Sequence, residues 1–166
     1  MTLRPIGLTD CKSAAPVRPS ERQTEKGLHR RSHMAEPEFA HVNVMVVEDE
    51  AFTQGLVQRL LESLGIASVA VAADGTDALT KLAAADRRIH LVICDIEMPK
   101  MAGFEFIRRL RFGAVAGYKD VPVVMLTGKD SEKNAQNARI HRVSEFLVKP
   151  PKVSTLANAI RHALAT

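Results

Sequence analysis

Four apolar runs in this sequence stop abruptly on residues that can do chemistry. NVMVV runs into Glu48-Asp49-Glu50, LVIC into Asp95, VVML into Thr127-Gly128 and FLV into Lys149-Pro150. The oxygens of Asp49 and Asp95 suit a hard cation such as Mg²⁺, which prefers oxygen ligands and keeps several waters, and Glu48 adds negative charge to hold it. A carboxylate beside such a cation can act as a nucleophile toward a phosphoryl group, while the cation and an ammonium neutralise charge on the transferring oxygens. Lys149 and the Thr127 hydroxyl fit the supporting roles, and Gly128 leaves space for a phosphoryl group to approach. Taken singly, each feature has a plainer explanation. An acidic triplet favours a helix N-terminus, a threonine caps a strand end, a lysine is a solvated surface group, and Met98-Pro99 is a turn. Taken together, four run ends supply complementary chemistry.

These residues can meet only if the runs are strands that end on one side of a sheet. β-Branched stretches at Val42 to Val47, Ser68 to Ala72, Leu91 to Cys94, Val121 to Leu126 and Phe146 to Val148 read as five strands. Between them lie segments of helical period: Phe52, Leu56, Leu60 and Leu64; Ala78, Leu79 and Leu82; Phe104, Ile107 and Leu110; and, closing the chain, Leu156, Ile160 and Leu164. A fourth helix over 132–140 has only Ala135, Ala138 and Ile140 as apolar anchors, so it is expected to be the least tightly held. Strict alternation predicts an α/β fold, a doubly wound parallel sheet covered on both faces. The continuous apolar character of the strands agrees. In such sheets the functional crevice lies beyond the carboxyl ends of the strands, where the four run ends fall.

The 166 residues, 46% hydrophobic and 25% charged, suit one globular domain with a tail. Residues 1–40 carry Pro5, Pro16, Pro19 and Pro37 with no sustained apolar period. They predict a disordered N-terminal tail before a domain at 41–166, and Met34 is a candidate alternative start. The net charge of +4 forms no basic stripe, so direct nucleic-acid binding is not expected. No run of about 18 apolar residues predicts membrane insertion, and the first residues lack the apolar core of a signal peptide. Cys94, inside an apolar run, reads as a buried reduced thiol, consistent with a cytoplasmic protein.

The blocks MVVEDE, LVICDIEMPKMAGFEF, VPVVMLTG and EFLVKP resemble the signature blocks of the receiver domain of two-component response regulators, the CheY-like family. The resemblance spans residues 41–166 and implies a (βα)5 sheet of flavodoxin-like strand order 2-1-3-4-5. It implies that Asp95 is the phosphoacceptor, that Glu48 and Asp49 form the acidic pocket, and that the main-chain carbonyl of Glu97 completes a Mg²⁺ site. Thr127 and Lys149 are then the phosphoryl-contacting pair, Phe146 the aromatic switch position, and the peptide bond before Pro150 is cis. The implied partners are a histidine kinase or histidine phosphotransfer protein and a downstream protein target, with a homodimer as a further option. Glu97 and Lys129, two residues beyond Asp95 and Thr127, are expected to rim the mouth and tune the lifetime of the phosphoryl group.

Three departures from the family pattern stand out. Ala102 replaces an Asp common in the loop, Pro151 replaces an apolar residue and should stiffen the start of the closing helix, and His141-Arg142 stands where a Gly often follows the fourth helix. With no residues beyond the closing helix, the expectation is a single-domain regulator that signals by protein contact or onward phosphotransfer. An aspartate-nucleophile phosphatase with Glu97 as second acid and a non-phosphorylated binding scaffold are the alternatives. A flavodoxin-like cofactor binder is disfavoured, because Glu48-Asp49-Glu50 would repel a phosphate.

Overall fold

The computed structural model describes residues 37–128 and 140–165. The five apolar runs form β1 (Asn43–Val47), β2 (Ser68–Ala72), β3 (Leu91–Asp95), β4 (Val123–Thr127) and β5 (Glu145–Val148). Among the described residues four further elements are helices: α1 (Ala51–Ser63), α2 (Gly75–Ala83), α3 (Gly103–Arg111) and the closing helix, here α4 (Val153–Ala165). The helix expected over 132–140 lies outside the described residues except at Ile140, whose backbone is helical. Lys129 lies outside them too.

All pairings are parallel and the sheet order is β2-β1-β3-β4-β5, as expected. The register decides what meets at the carboxyl edge. Val47 lies opposite Cys94, Asp95 opposite Leu126, and Thr127 opposite Val148. Hydrogen bonding then continues past the strands, from Glu48 N–H to the Ala72 carbonyl at 3.0 Å, from Ile96 N–H to Leu126 at 3.2 Å and from Lys149 N–H to Thr127 at 2.8 Å. Glu48, Asp95, Thr127 and Lys149 are thereby brought level.

Alternation along the strands divides the core. Val44, Val46, Leu91, Ile93, Val124 and Leu126 pack with α1 and α4, while Met45, Val47, Val92, Cys94, Val123 and Met125 pack with α2 and α3. On α1 the expected step of four is present, but the buried face is Thr53, Val57 and Leu61, one position on from the expected stripe. Phe52 is 72% exposed, and Leu60 and Leu64 are only partly buried. Leu164, at the end of α4, is also exposed, whereas Leu156 and Ile160 are fully buried as expected.

Packed chain extends slightly before the expected boundary. Pro37 to Ala40 form a turn closed by Ala40 N–H to the Pro37 carbonyl at 2.9 Å, and Phe39 is buried with the α1 and α4 cluster. Arg161 of α4 donates to both oxygens of Glu38, at 2.6 and 2.9 Å.

Two departures noted in the sequence take definite form. Ala102 is the N-cap residue of α3 and offers no side-chain acceptor. Arg142 adopts φ 50°, the left-handed backbone usually given to glycine after a helix. Arg111 holds that turn, donating to the carbonyls of His141 at 3.1 Å, Arg142 at 3.0 Å and Lys119 at 2.8 Å. At the sheet's β2 edge, Lys81 Nζ donates to the Val71 carbonyl at 2.8 Å.

Candidate functional site

The site is assembled at the carboxyl ends of β1, β3, β4 and β5. Lys149 Nζ lies 2.7 Å from Glu48 Oε2 and 2.8 Å from Asp95 Oδ2, so one ammonium serves two carboxylates. Glu48 is 1% exposed and Asp95 6%, whereas Asp49 is exposed to solvent. Charges this deep persist only when paired. Thr127 is buried beside them at 4%. The peptide bond between Lys149 and Pro150 is cis.

The acidic triplet is not a helix cap. Glu50 stands at the N-cap position of α1, yet its side chain caps no backbone N–H, and the first turn holds no acidic residue. Instead Glu50 accepts from the Thr53 hydroxyl at 2.7 Å, and Glu48 Oε1 accepts from the Glu50 N–H at 3.3 Å.

Burial pushes the Glu48 carboxyl above the usual carboxylate range, against the opposing pull of Lys149. Burial also works against the Lys149 ammonium, but Asp95 and Glu48 outweigh it and hold the group above its usual value. The Cys94 thiol is pushed well up, first by complete burial and then by the negative charge of Asp95. It is a packing residue, as expected, and its Sγ donates to the Asp95 carbonyl at 3.2 Å.

A divalent cation fits this set. Glu48, Asp49 and Asp95 each offer a carboxylate oxygen, and these oxygens lie within 4.8 Å of one another. Glu48 Oε2 is buried and faces the Lys149 ammonium at 2.7 Å. An all-oxygen, anionic donor set, buried at Glu48 and Asp95 and open at Asp49, matches the preference of a hard cation.

The loop after β3 folds back tightly onto the end of the strand. Gly103 N–H donates to the Ile96 carbonyl at 3.0 Å, and a Cβ at Gly103 would overlap the Asp95 carbonyl oxygen. Glu97 is exposed at the rim. Phe146 is partly buried against the α2 and α3 cluster. Two residues that the sequence reading passed over also belong here. Asp74 is 2% exposed and caps α2, Oδ1 accepting from Thr76 N–H at 2.9 Å and Asp77 N–H at 3.0 Å. Its Oδ2 receives Lys100 Nζ at 2.8 Å. The Asp-Gly pair just before a helical period was the available signal for the cap; nothing in the sequence pointed to Lys100.

Residues 44–161 match the response regulator receiver domain. The chain is 31% identical over 120 residues to Protein PilG of Pseudomonas aeruginosa, covering 72% of this chain and 85% of that protein. It is 31% identical over 121 residues to two-component response regulator ORR3 of Oryza sativa subsp. indica, covering 71% and 89%. Chemotaxis protein CheY4 of Vibrio cholerae superposes with a TM-score of 0.67 at 32% identity, covering 74% of this chain and 98% of that one. Matched blocks, relatives of similar length and a shared strand order agree: the chain belongs to the receiver domain family of response regulators.

Proposed function

We propose that this protein is a phosphoacceptor of a two-component pathway, with Asp95 as the residue modified. The observation that carries the reading is the Lys149 ammonium held between Glu48 and Asp95, with an oxygen of Asp49 beside them. An Asp95 carboxylate oxygen would attack the phosphorus of a phosphohistidine on a histidine kinase or phosphotransfer protein. The P–O bond forms as the P–N bond breaks, and the electron pair leaves with the imidazole. Lys149 would neutralise charge on the transferred oxygens, and Thr127, buried at the end of β4, would donate to one of them. Glu48, Asp49, Asp95 and the Glu97 carbonyl would hold Mg²⁺, which when bound neutralises phosphoryl charge. Phe146, on the adjoining strand, would answer by repacking, and output would pass to a protein target or by onward transfer. Glu97, with Lys129, would tune the lifetime at the mouth. We place the protein in the cytoplasm; among the described residues no helix is long and apolar enough to cross a membrane.

Incubation with acetyl phosphate and Mg²⁺, followed by intact-mass analysis, tests the reading. One phosphoryl group is expected per chain, and none on Asp95→Asn, whose amide lacks the nucleophilic oxygen. Labelling of Asp95→Asn to the wild-type extent would refute the assignment. Repeated turnover of the ester would indicate a phosphatase, and absence of any label a binding scaffold.

A further inference from the structure

Lys100 sits in the loop that follows the phosphoacceptor strand and adopts φ 60°. A left-handed backbone at a residue with a Cβ costs about 1–2 kcal/mol, and glycine would adopt it freely. What a lysine adds is its ammonium, which reaches Asp74, 26 positions away in sequence. Asp74 is buried, and besides the amide groups of α2 it contacts this one cation among the described residues. The same junction is tied by Gly75 N–H to the Met101 carbonyl at 3.3 Å. A Cβ on Gly75 would come within 2.8 Å of the Met101 and Phe106 side chains, so the loop and α2 are in close contact. At its far end the loop lacks a side-chain cap, because Ala102 offers no acceptor to α3.

We propose that Asp74 and Lys100 are positioning residues for the phosphoacceptor loop: their ion pair fastens the loop to the first turn of α2 and thereby fixes the direction of the Glu97 carbonyl. The proposal rests on the receiver reading, in which that carbonyl is a cation ligand. It gives Lys100 a task that no contact with the phosphoryl group or the cation would explain. The pair substitutes for the missing cap at Ala102: the loop is held from α2 instead of from α3. Neither residue touches the reacting atoms, so the effect must pass through the geometry of residues 96–102.

The test follows Mg²⁺ binding without any phosphoryl donor, by titration of the backbone amide spectra of wild type, Lys100→Gly, Lys100→Arg, Asp74→Asn and Asp74→Asn/Lys100→Gly. Lys100→Gly relieves the left-handed backbone while removing the latch, and Asp74→Asn keeps an acceptor for the cap while removing the charge. Each is expected to weaken Mg²⁺ about threefold to tenfold, less than the roughly 10–100-fold typical of groups bonded directly to a metal's ligands. Lys100→Arg should restore most of the affinity, and the double variant should be no weaker than the weaker single one, since both break one contact. The thermal midpoint of Lys100→Gly should be unchanged or raised. Wild-type affinity in Lys100→Gly, or multiplicative losses in the double variant, would overturn the proposal. A wild type that neither binds Mg²⁺ nor takes a label on Asp95 would instead overturn the receiver reading. The latch would then be judged on metal-free spectra, where displaced amides at 96–103 in Lys100→Gly support it and unmoved ones refute it.

Discussion

The two faces of the sheet are built from different materials. Among the described residues the face under α1 and α4 is filled by Val, Leu, Ile and Ala with one aromatic, Phe39. The face under α2 and α3 also has Val, Leu and Ile, but to these it adds Met45, Met98, Met101 and Met125, four of the six methionines in the chain, together with Cys94 and Phe106. Branched aliphatic side chains have few rotamers and pack in one way, whereas methionine is unbranched, polarizable and able to fill altered space. Met98 and Met101 belong to the loop after Asp95, and Phe146 and Val143 lean on the same cluster. The adaptable packing therefore lies on the side where the loop after Asp95 and the proposed aromatic switch are seated, and the stiffer packing lies opposite. On the proposed reading one side changes shape while the other keeps the fold, and this asymmetry suits that division.

The largest effect is expected where the two faces share an edge, at Lys149. Lys149→Met leaves Glu48 and Asp95 buried with no cation and should cost about 3 kcal/mol at neutral pH. Urea unfolding at two pH values checks it. Glu48 is already raised above its ordinary value. A carboxyl so raised favours the folded state in acid, and that contribution is lost as pH rises through its folded value. The penalty of Lys149→Met should accordingly shrink as pH falls toward the carboxylate range. A penalty independent of pH would show that Glu48 and Asp95 do not depend on this ammonium.

Next comes the contrast between the faces themselves. Met45→Leu with Met125→Leu conserves volume and should cost less than about 1.5 kcal/mol. It should nevertheless reduce the change in amide exchange that beryllofluoride and Mg²⁺ produce across residues 140–148, because a stiffer bed resists repacking of Phe146. Val46→Leu on the opposite face should leave that exchange response intact. An equal response in all three proteins would remove the functional meaning of the asymmetry.

The smallest effect concerns Arg142, whose neighbour Val143 also rests on the adaptable side. Arg142→Gly relieves a left-handed backbone and should stabilise the protein by about 1 kcal/mol, read from the urea midpoint. Its ion pair with Asp120 at 3.0 Å is solvent-exposed and contributes little. A loss of stability would mean that this pair outweighs the backbone term.

Much of this architecture was legible because strands buried on both faces must be apolar throughout, and such runs interrupted by single charges stand out. Glu48, Asp95, Thr127 and Lys149 were therefore found by where the runs stop. The buried face of α1 was less accessible to periodicity. Leu56, Leu60 and Leu64 flank Val57 and Leu61, so the apolar stripe is wide, and spacing alone does not say which of its edges meets the sheet. Phe52, the first residue of the step of four, is mostly exposed. Contacts such as Lys100 with Asp74, or Arg111 with three carbonyls, link side chains to elements remote in sequence. They exist only once the fold has placed them, and composition carries no trace of them.

Lys81 offers a last point. β2 is an outer strand, and its sequence SVAVA carries neither charge nor proline to discourage a second chain from adding to it. The Lys81 ammonium, already bonded to Asp77 at 2.8 Å, occupies the Val71 carbonyl and sets a charge over the open margin. A stranger's backbone arriving there would have to displace that lysine before it could pair. The same side chain that extends the charged surface of α2 thus guards this margin against pairing with another copy.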